Sequence, residues 1–148
     1  MPLSAGPHAY FKVTSNKFAG HGRAFAKLAS QTYTIGGLLG LQVGVGTIRP
    51  MQAGDVLVGI CEESITSSHA DYANTVAVNC TVLFRGDEVD CPVSAGTVAL
   101  TQLGDEADVV NGGLSLTLTE SNNDFRQVAL IGGLTNRVLA VPMSTLLY

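Results

Sequence analysis

The sequence predicts an all-β fold: a small barrel or sandwich over residues 35–148, preceded by an extended N-terminal arm over residues 1–34 that has room for one short helix. Three observations predict it. One stretch, residues 76–84, alternates strictly, with Val76, Val78, Cys80, Val82 and Phe84 on one face, as a half-buried strand requires. Glycine and Asn/Asp turn signals recur about every ten residues, the spacing of short antiparallel strands. Charge is sparse, at 14% of residues, while 17 glycines and frequent Val and Thr suit strands joined by tight turns.

The arm reads differently from the rest. It holds Tyr10, Phe11, Phe18, Phe25 and Tyr33, five of the nine aromatics. Phe11, Phe18 and Phe25 recur at intervals of seven, but Gly20 and Gly22 oppose one continuous helix. Residues 23–30 suit a short one. Such a segment can reach out as an arm with spaced aromatic anchors, or fold back as the first strands of its own domain. The first of these is the expectation here.

The body then reads strand by strand. Gly36 and Gly37 lead into residues 38–45, where Leu39, Leu41, Val43 and Val45 share a face and the glycines allow close backbone approach. Residues 50–55 form a turn, and Val56–Cys61 a strand. Residues 62–73 are polar and irregular, a loop. After 76–84, Gly86-Asp87 turns the chain into residues 88–93, where Pro92 predicts an edge strand or a stop. Further strands are expected at 97–100, 107–110, 114–119, 127–131 and 137–142. Turns between them fall at Gly104-Asp105, at 111–113, at 121–124 and at Gly132-Gly133.

Charge is unevenly placed. Lys12, Lys17, Arg23, Lys27 and Arg49 precede the first acid, Asp55; all 12 acids lie from there on, with only three arginines. A basic segment on an acidic body suggests two surfaces with different partners. The poorly charged remainder predicts a protein interface and self-association. Four cations in thirty residues, beside an acidic body, make a poor nucleic-acid site. No apolar run is long enough for a transmembrane helix, and residues 1–8 lack the pattern of a secretion signal, so synthesis in a cytoplasm is expected.

Enzyme chemistry finds little support. Ser64, Ser67, Ser68, His69 and Asp71 crowd one polar loop, whereas a catalytic triad is assembled from distant segments and no G-x-S-x-G elbow is present. His8, His21 and His69 have no partner at metal-ligand spacing, and Cys61, Cys80 and Cys91 form no C-x-x-C. Reduced, partly buried thiols are expected, with no catalytic residue, metal or cofactor. Asp105, Glu106 and Asp108 are read as solvated turn acids before they are read as calcium ligands. Arg85-Gly86-Asp87 spells an integrin tripeptide on a turn that favours Gly and Asp for its own reasons.

An ordered pattern over about two thirds of the chain adds a resemblance. It runs from Gly40-Leu41-Gln42-Val43-Gly44-Val45 through Ala53-Gly54-Asp55-Val56-Leu57-Val58, the alternating strand 76–84 and Pro92. Leu103-Gly104-Asp105, Asp108-Val109-Val110 and Gly113-Leu114-Ser115-Leu116-Thr117 follow. It closes with Leu130-Ile131-Gly132-Gly133 and Asn136-Arg137-Val138-Leu139-Ala140-Val141. This pattern resembles the tailed-phage head decoration (capsid cement) proteins, whose domain is a small β-barrel of β-tulip-like form. The resemblance implies a structural virion protein on the capsid exterior. It would bind the major capsid protein of the expanded head, bridge capsomers, and associate with itself, as a trimer more readily than as a dimer. The arm residues Tyr10, Phe11, Lys12, Lys17, Phe18, Arg23, Phe25 and Lys27 would then grip the capsid or a neighbouring copy, aromatics as anchors and cations for steering. The alternative is a fibre or tail-tip adhesin that binds a host glycan or protein.

Overall fold

A computed structural model describes residues 10–15, 22–118 and 122–146. These residues form an all-β fold of eleven strands in two sheets. The first sheet holds β1 (Lys12–Ser15), β7 (Glu88–Ala95), β8 (Glu106–Val110), β9 (Ser115–Thr117), β10 (Phe125–Leu130) and β11 (Arg137–Pro142). Its order is β1-β7-β11-β10-β8-β9, and β9 also pairs with β7 in parallel, which closes a five-stranded barrel. The second sheet, in the order β2-β6-β5-β3-β4, holds β2 (Gly22–Phe25), β3 (Leu38–Leu41), β4 (Ile48–Pro50), β5 (Val56–Cys61) and β6 (Val78–Val82).

The alternation of side chains sorts residues between two cores. Inward positions of the barrel strands (Val89, Cys91, Ala107, Val109, Phe125, Val138, Ala140) meet Leu38, Leu57, Ile60 and Leu83 of the second sheet and its connections. The opposite face of that sheet buries Leu39, Val58, Cys61, Val78, Cys80 and Val82 beneath Tyr33 and Ile65. A bulge lets β5 serve both cores. Leu39 pairs with Gly59 but Gly40 with Leu57, leaving Val58 as the extra residue. Gly59 is obligatory there, because a Cβ would lie 2.2 Å from the Thr81 carbonyl oxygen.

The described part of residues 1–34 is not a free arm. It supplies strands to both sheets. Residues 12–15 pair antiparallel with β7, and Gly22–Phe25 pairs with β6. The helix expected over 23–30 is therefore absent: β2 occupies its first half. The backbone of 26–28 is then taken up by β4, where Ile48 N–H donates to the Ala26 carbonyl and Leu28 N–H to that of Ile48. The chain thus leaves β2 at one edge of the second sheet and pairs at the other, covering the β4 edge at Ile48. Phe11 is fully buried and stacks on Phe125 with ring centroids 6.1 Å apart. Its N–H donates to the Gly36 carbonyl. Arg137 adds a clamp, donating to the Asp90 carboxylate at 2.6 Å and to the Tyr10 carbonyl at 2.6 Å.

Other expectations shift for local reasons. The run 38–45 stops as a strand at Leu41, because Gly44 and Gly46 adopt positive φ and turn the chain. Val43 and Val45 end up exposed at the hairpin tip. Gly40 admits a side chain, not a backbone: a Cβ there would stand 2.6 Å from the Cβ of Asp55. Residues 97–100 make no strand, and a single 3-10 turn follows at Leu100–Gln102. Pro92 does not end β7, which has three neighbours. Val93 N–H points at Asn136 of the β11 side, so the nitrogen of Pro92 points the other way. There β1 partners only as far as Asp90 and β9 begins at Val93, and no ladder donor is missed.

Phe11→Ala is expected to lose about 3–5 kcal/mol of stability, as for other buried Phe truncations, read by urea denaturation. An arm residue merely resting on the surface would lose almost none.

Candidate functional site

The residues assigned to the arm separate on folding. Phe11 is core. Lys27 is fully buried, and Phe25 packs against the second core. Tyr10 is half-buried, its carbonyl held by Arg137. Lys17 and Phe18 lie outside the described residues. Lys12 and Arg23 are exposed, but Lys12 stands on the barrel and Arg23 on the second sheet, its guanidinium 5.5 Å from the centre of the Phe25 ring. Among the described residues, then, no single basic and aromatic grip is assembled.

Lys27 acts inward. Its ammonium donates to the carbonyls of Asp71, at 2.5 Å, and of Asn74, and sits 5.9 Å from the centre of the Tyr33 ring. A buried cation needs such partners, since unpaired it would be costly. Tyr33 is anchored in turn: its hydroxyl donates to the carbonyls of Leu28 and Ile48, and burial raises its pKa. Lys27 therefore fastens the 62–77 loop over the second core. Other loop contacts agree. Ser30 N–H donates to the Tyr72 carbonyl. Thr81 donates to the Glu62 carboxylate at 2.6 Å, and both the backbone and side-chain amides of Asn79 donate to Glu63. The paired acids Glu62 and Glu63 hold a loop.

The same loop carries the Ser/His/Asp cluster. His69 Nδ1 accepts the Asp71 backbone N–H at 3.1 Å, while the Asp71 carboxylate stands 3.9 Å from that nitrogen. A triad needs an Nδ1–H donated to the carboxylate, so this ring is oriented for the turn. Ser68 shares its hydroxyl hydrogen bond with Thr66. The turn acids also disperse. Asp105 is exposed, Glu106 pairs with Arg126, and Asp108 accepts the N–H groups of Asn122 and Asn123. Nearby Asp124 accepts Val109 N–H, and burial raises its carboxyl pKa. No group of three potential metal ligands occurs among the described residues. Asp87 of the Arg-Gly-Asp turn is fully buried and accepts Phe84 N–H at 2.9 Å, so the tripeptide is not displayed.

What the surface does display is apolar. Leu100 is 71% exposed, Leu134 46%, and Val128 and Leu130 37% each. They come from β10, from the β10–β11 turn and from the Leu100–Gln102 turn beside it. Val128 is the extra residue of a bulge between Gln127 and Ala129 and is exposed. Leu134 lies in the β10–β11 turn. The Leu100–Gln102 turn is tied alongside by Gly104 N–H to the Gln127 carbonyl and Val98 N–H to the Thr135 carbonyl. The two arginines of this hairpin, Arg126 and Arg137, are already paired with Glu106 and Asp90. Sequence reasoning placed the interface on the arm and did not single out these residues. The signal available was the run Val128-Ala129-Leu130-Ile131 followed by Leu134, too apolar for a strand with one solvent-facing side.

Two concavities are found among the described residues. A groove of about 320 Å³ is lined by Gln31, Thr34, Leu39, Gln52, Asn111 and Leu114, among others, with no charged side chain. A smaller one of about 200 Å³ lies between Asp55 and Asp124. Asp55 there is held by a bidentate pair with Arg49. Neither family models nor curated proteins give a match to this sequence.

Replacing Lys27 by Met should leave two loop carbonyls without a donor, at about 1–3 kcal/mol for each buried group left unsatisfied. Limited proteolysis is expected to cut first within residues 66–77. Cleavage no faster than in the parent would contradict the fastening role.

Proposed function

We propose that this chain is a structural, protein-binding β-module that decorates the exterior of an expanded tailed-phage capsid, bridges capsomers and associates with its own copies. The observation that carries the reading is the apolar β10 side of the barrel. Leu100, Val128, Leu130 and Leu134 are exposed on β10 and on the turns hydrogen-bonded to it, and the two arginines of that hairpin, Arg126 and Arg137, are ion-paired. Exposed apolar clusters rimmed by polar groups mark interaction surfaces, and depletion of charge marks the centre of an interface. The resemblance of its turn and strand pattern to that of capsid cement proteins suggests the kind of partner. In such a role each contact can be modest, because bridging makes the binding multivalent and raises the effective concentration.

The interface therefore moves from the arm to the barrel. Lys12 and Arg23 remain available to steer an approach to acidic partners, which affects association rate more than residence time.

Co-sedimentation with expanded, undecorated heads tests the proposal. The parent chain is expected to bind saturably. Val128→Asp combined with Leu134→Asp, both at exposed positions, should abolish binding and leave thermal stability nearly unchanged. Lys12→Ala with Arg23→Ala should only slow association, with an effect that fades at high salt. Undiminished binding by the Val128/Leu134 variant would remove this face from the mechanism. Failure of the parent to bind any head would overturn the capsid role. Sedimentation velocity on the same proteins reads self-association, with a trimer expected.

A further inference from the structure

The three thiols differ in their neighbours. Cys91 lies in the barrel core, its Sγ donating to the Val89 carbonyl. Cys61 and Cys80 lie together in the second core, fully buried, and are direct cross-strand partners of β5 and β6. Their pairing type can be read from the backbone. Cys61 N–H donates to the Gly37 carbonyl and Gly36 N–H to the Cys61 carbonyl, so both backbone groups of Cys61 point toward β3. The β5–β6 bonds fall one residue away on either side, as Glu62 N–H to Asn79 shows. Cys61 and Cys80 are thus a non-hydrogen-bonded antiparallel pair, the kind whose side chains lie closer together. Cα separations of about 4.5 Å in such pairs fall within the range a disulfide accepts.

We propose that Cys61 and Cys80 are a latent cross-strand disulfide, a dithiol under reducing conditions that a two-electron oxidant converts to the bridge. With hydrogen peroxide the step balances. One thiolate attacks the peroxide oxygen, giving a sulfenic acid and, with a proton, water. The second thiol attacks that sulfur, losing its proton, and a second water leaves. Closing the bridge gives up the hydrogen bond of the Cys61 thiol to the Glu63 carbonyl. The bridge would tie the two ends of the 62–79 segment, the loop that Lys27 fastens from the other side. Nothing in this chemistry depends on what the barrel surface binds.

Burial pushes both thiols up to about 12, so reaction is slow at neutral pH and its rate should rise about tenfold for each pH unit below that value. Cys91, buried outright and raised well above its ordinary value, has no cysteine partner and serves as the internal control.

The test exposes the folded full-length chain to peroxide at about pH 9, where thiolate is more abundant. The sample is then quenched, unfolded, alkylated and mapped by mass. Expected is a linked peptide pair containing Cys61 and Cys80, lighter by two hydrogens and cleaved by a reductant, with Cys91 still alkylated. The oxidised chain should melt at a higher temperature than the reduced one. In Cys80→Ser no link should form and peroxide should not raise the melting temperature. Oxidation of all three thiols at one rate would overturn the proposal. So would sulfinic acids without a link, or three free thiols persisting after half-buried Met143 has become the sulfoxide.

Discussion

Closure of the second sheet by residues 26–28 is the constraint on which the rest of the structure rests. A short five-stranded sheet would otherwise present an unpaired edge at β4. The chain removes that edge by crossing from β2, where it pairs with β6, to Ile48 in β4. The crossing brings Lys27 into the interior, and its charge has to be answered there. The carbonyls of Asp71 and Asn74 answer it, which fixes a loop that has little regular structure of its own. Tyr33, beside the ammonium, then covers Leu39, Ile48 and Val58. One cation thus couples an edge, a core and a loop.

The same segment binds the two sheets to each other. Phe11 enters the barrel core against Phe125 while its N–H reaches Gly36, just ahead of β3. Arg137 holds Tyr10 and Asp90 together from β11. The C-terminal end repeats the theme, with Leu146 N–H donating to the Leu57 carbonyl in β5. Contacts between residues far apart in sequence dominate, which is the expected cost of a fold built from short strands.

The all-β class and most strand positions were legible, because alternation and turn chemistry are local. Residues 137–142 show inside and outside in strict turn, and Gly44, Gly54, Gly86 and Gly104 mark turns by their positive φ. The role of the N-terminal segment was not legible. Aromatic and basic residues at 10–27 look alike whether they face a partner or their own core; only the register of β1 and β2 decides, and register is not written in composition. Lys27 is the clearest example, since a lone lysine in a polar stretch is ordinarily solvated. The apolar side of β10 was hidden for another reason. Its members come from a bulge at Val128 and a separate turn at Leu100, and neither leaves a periodic trace.

Native-state hydrogen exchange tests the central claim, that residues 10–15 and 22–33 are built into both sheets. The amides of Phe11, Leu28 and Tyr33 all donate to backbone carbonyls. They are expected to exchange only through global unfolding, with the same protection as core amides such as Val109. Exchange of these three amides orders of magnitude faster than Val109, in an otherwise protected molecule, would mean that the segment detaches while the barrel stays folded and would contradict the account.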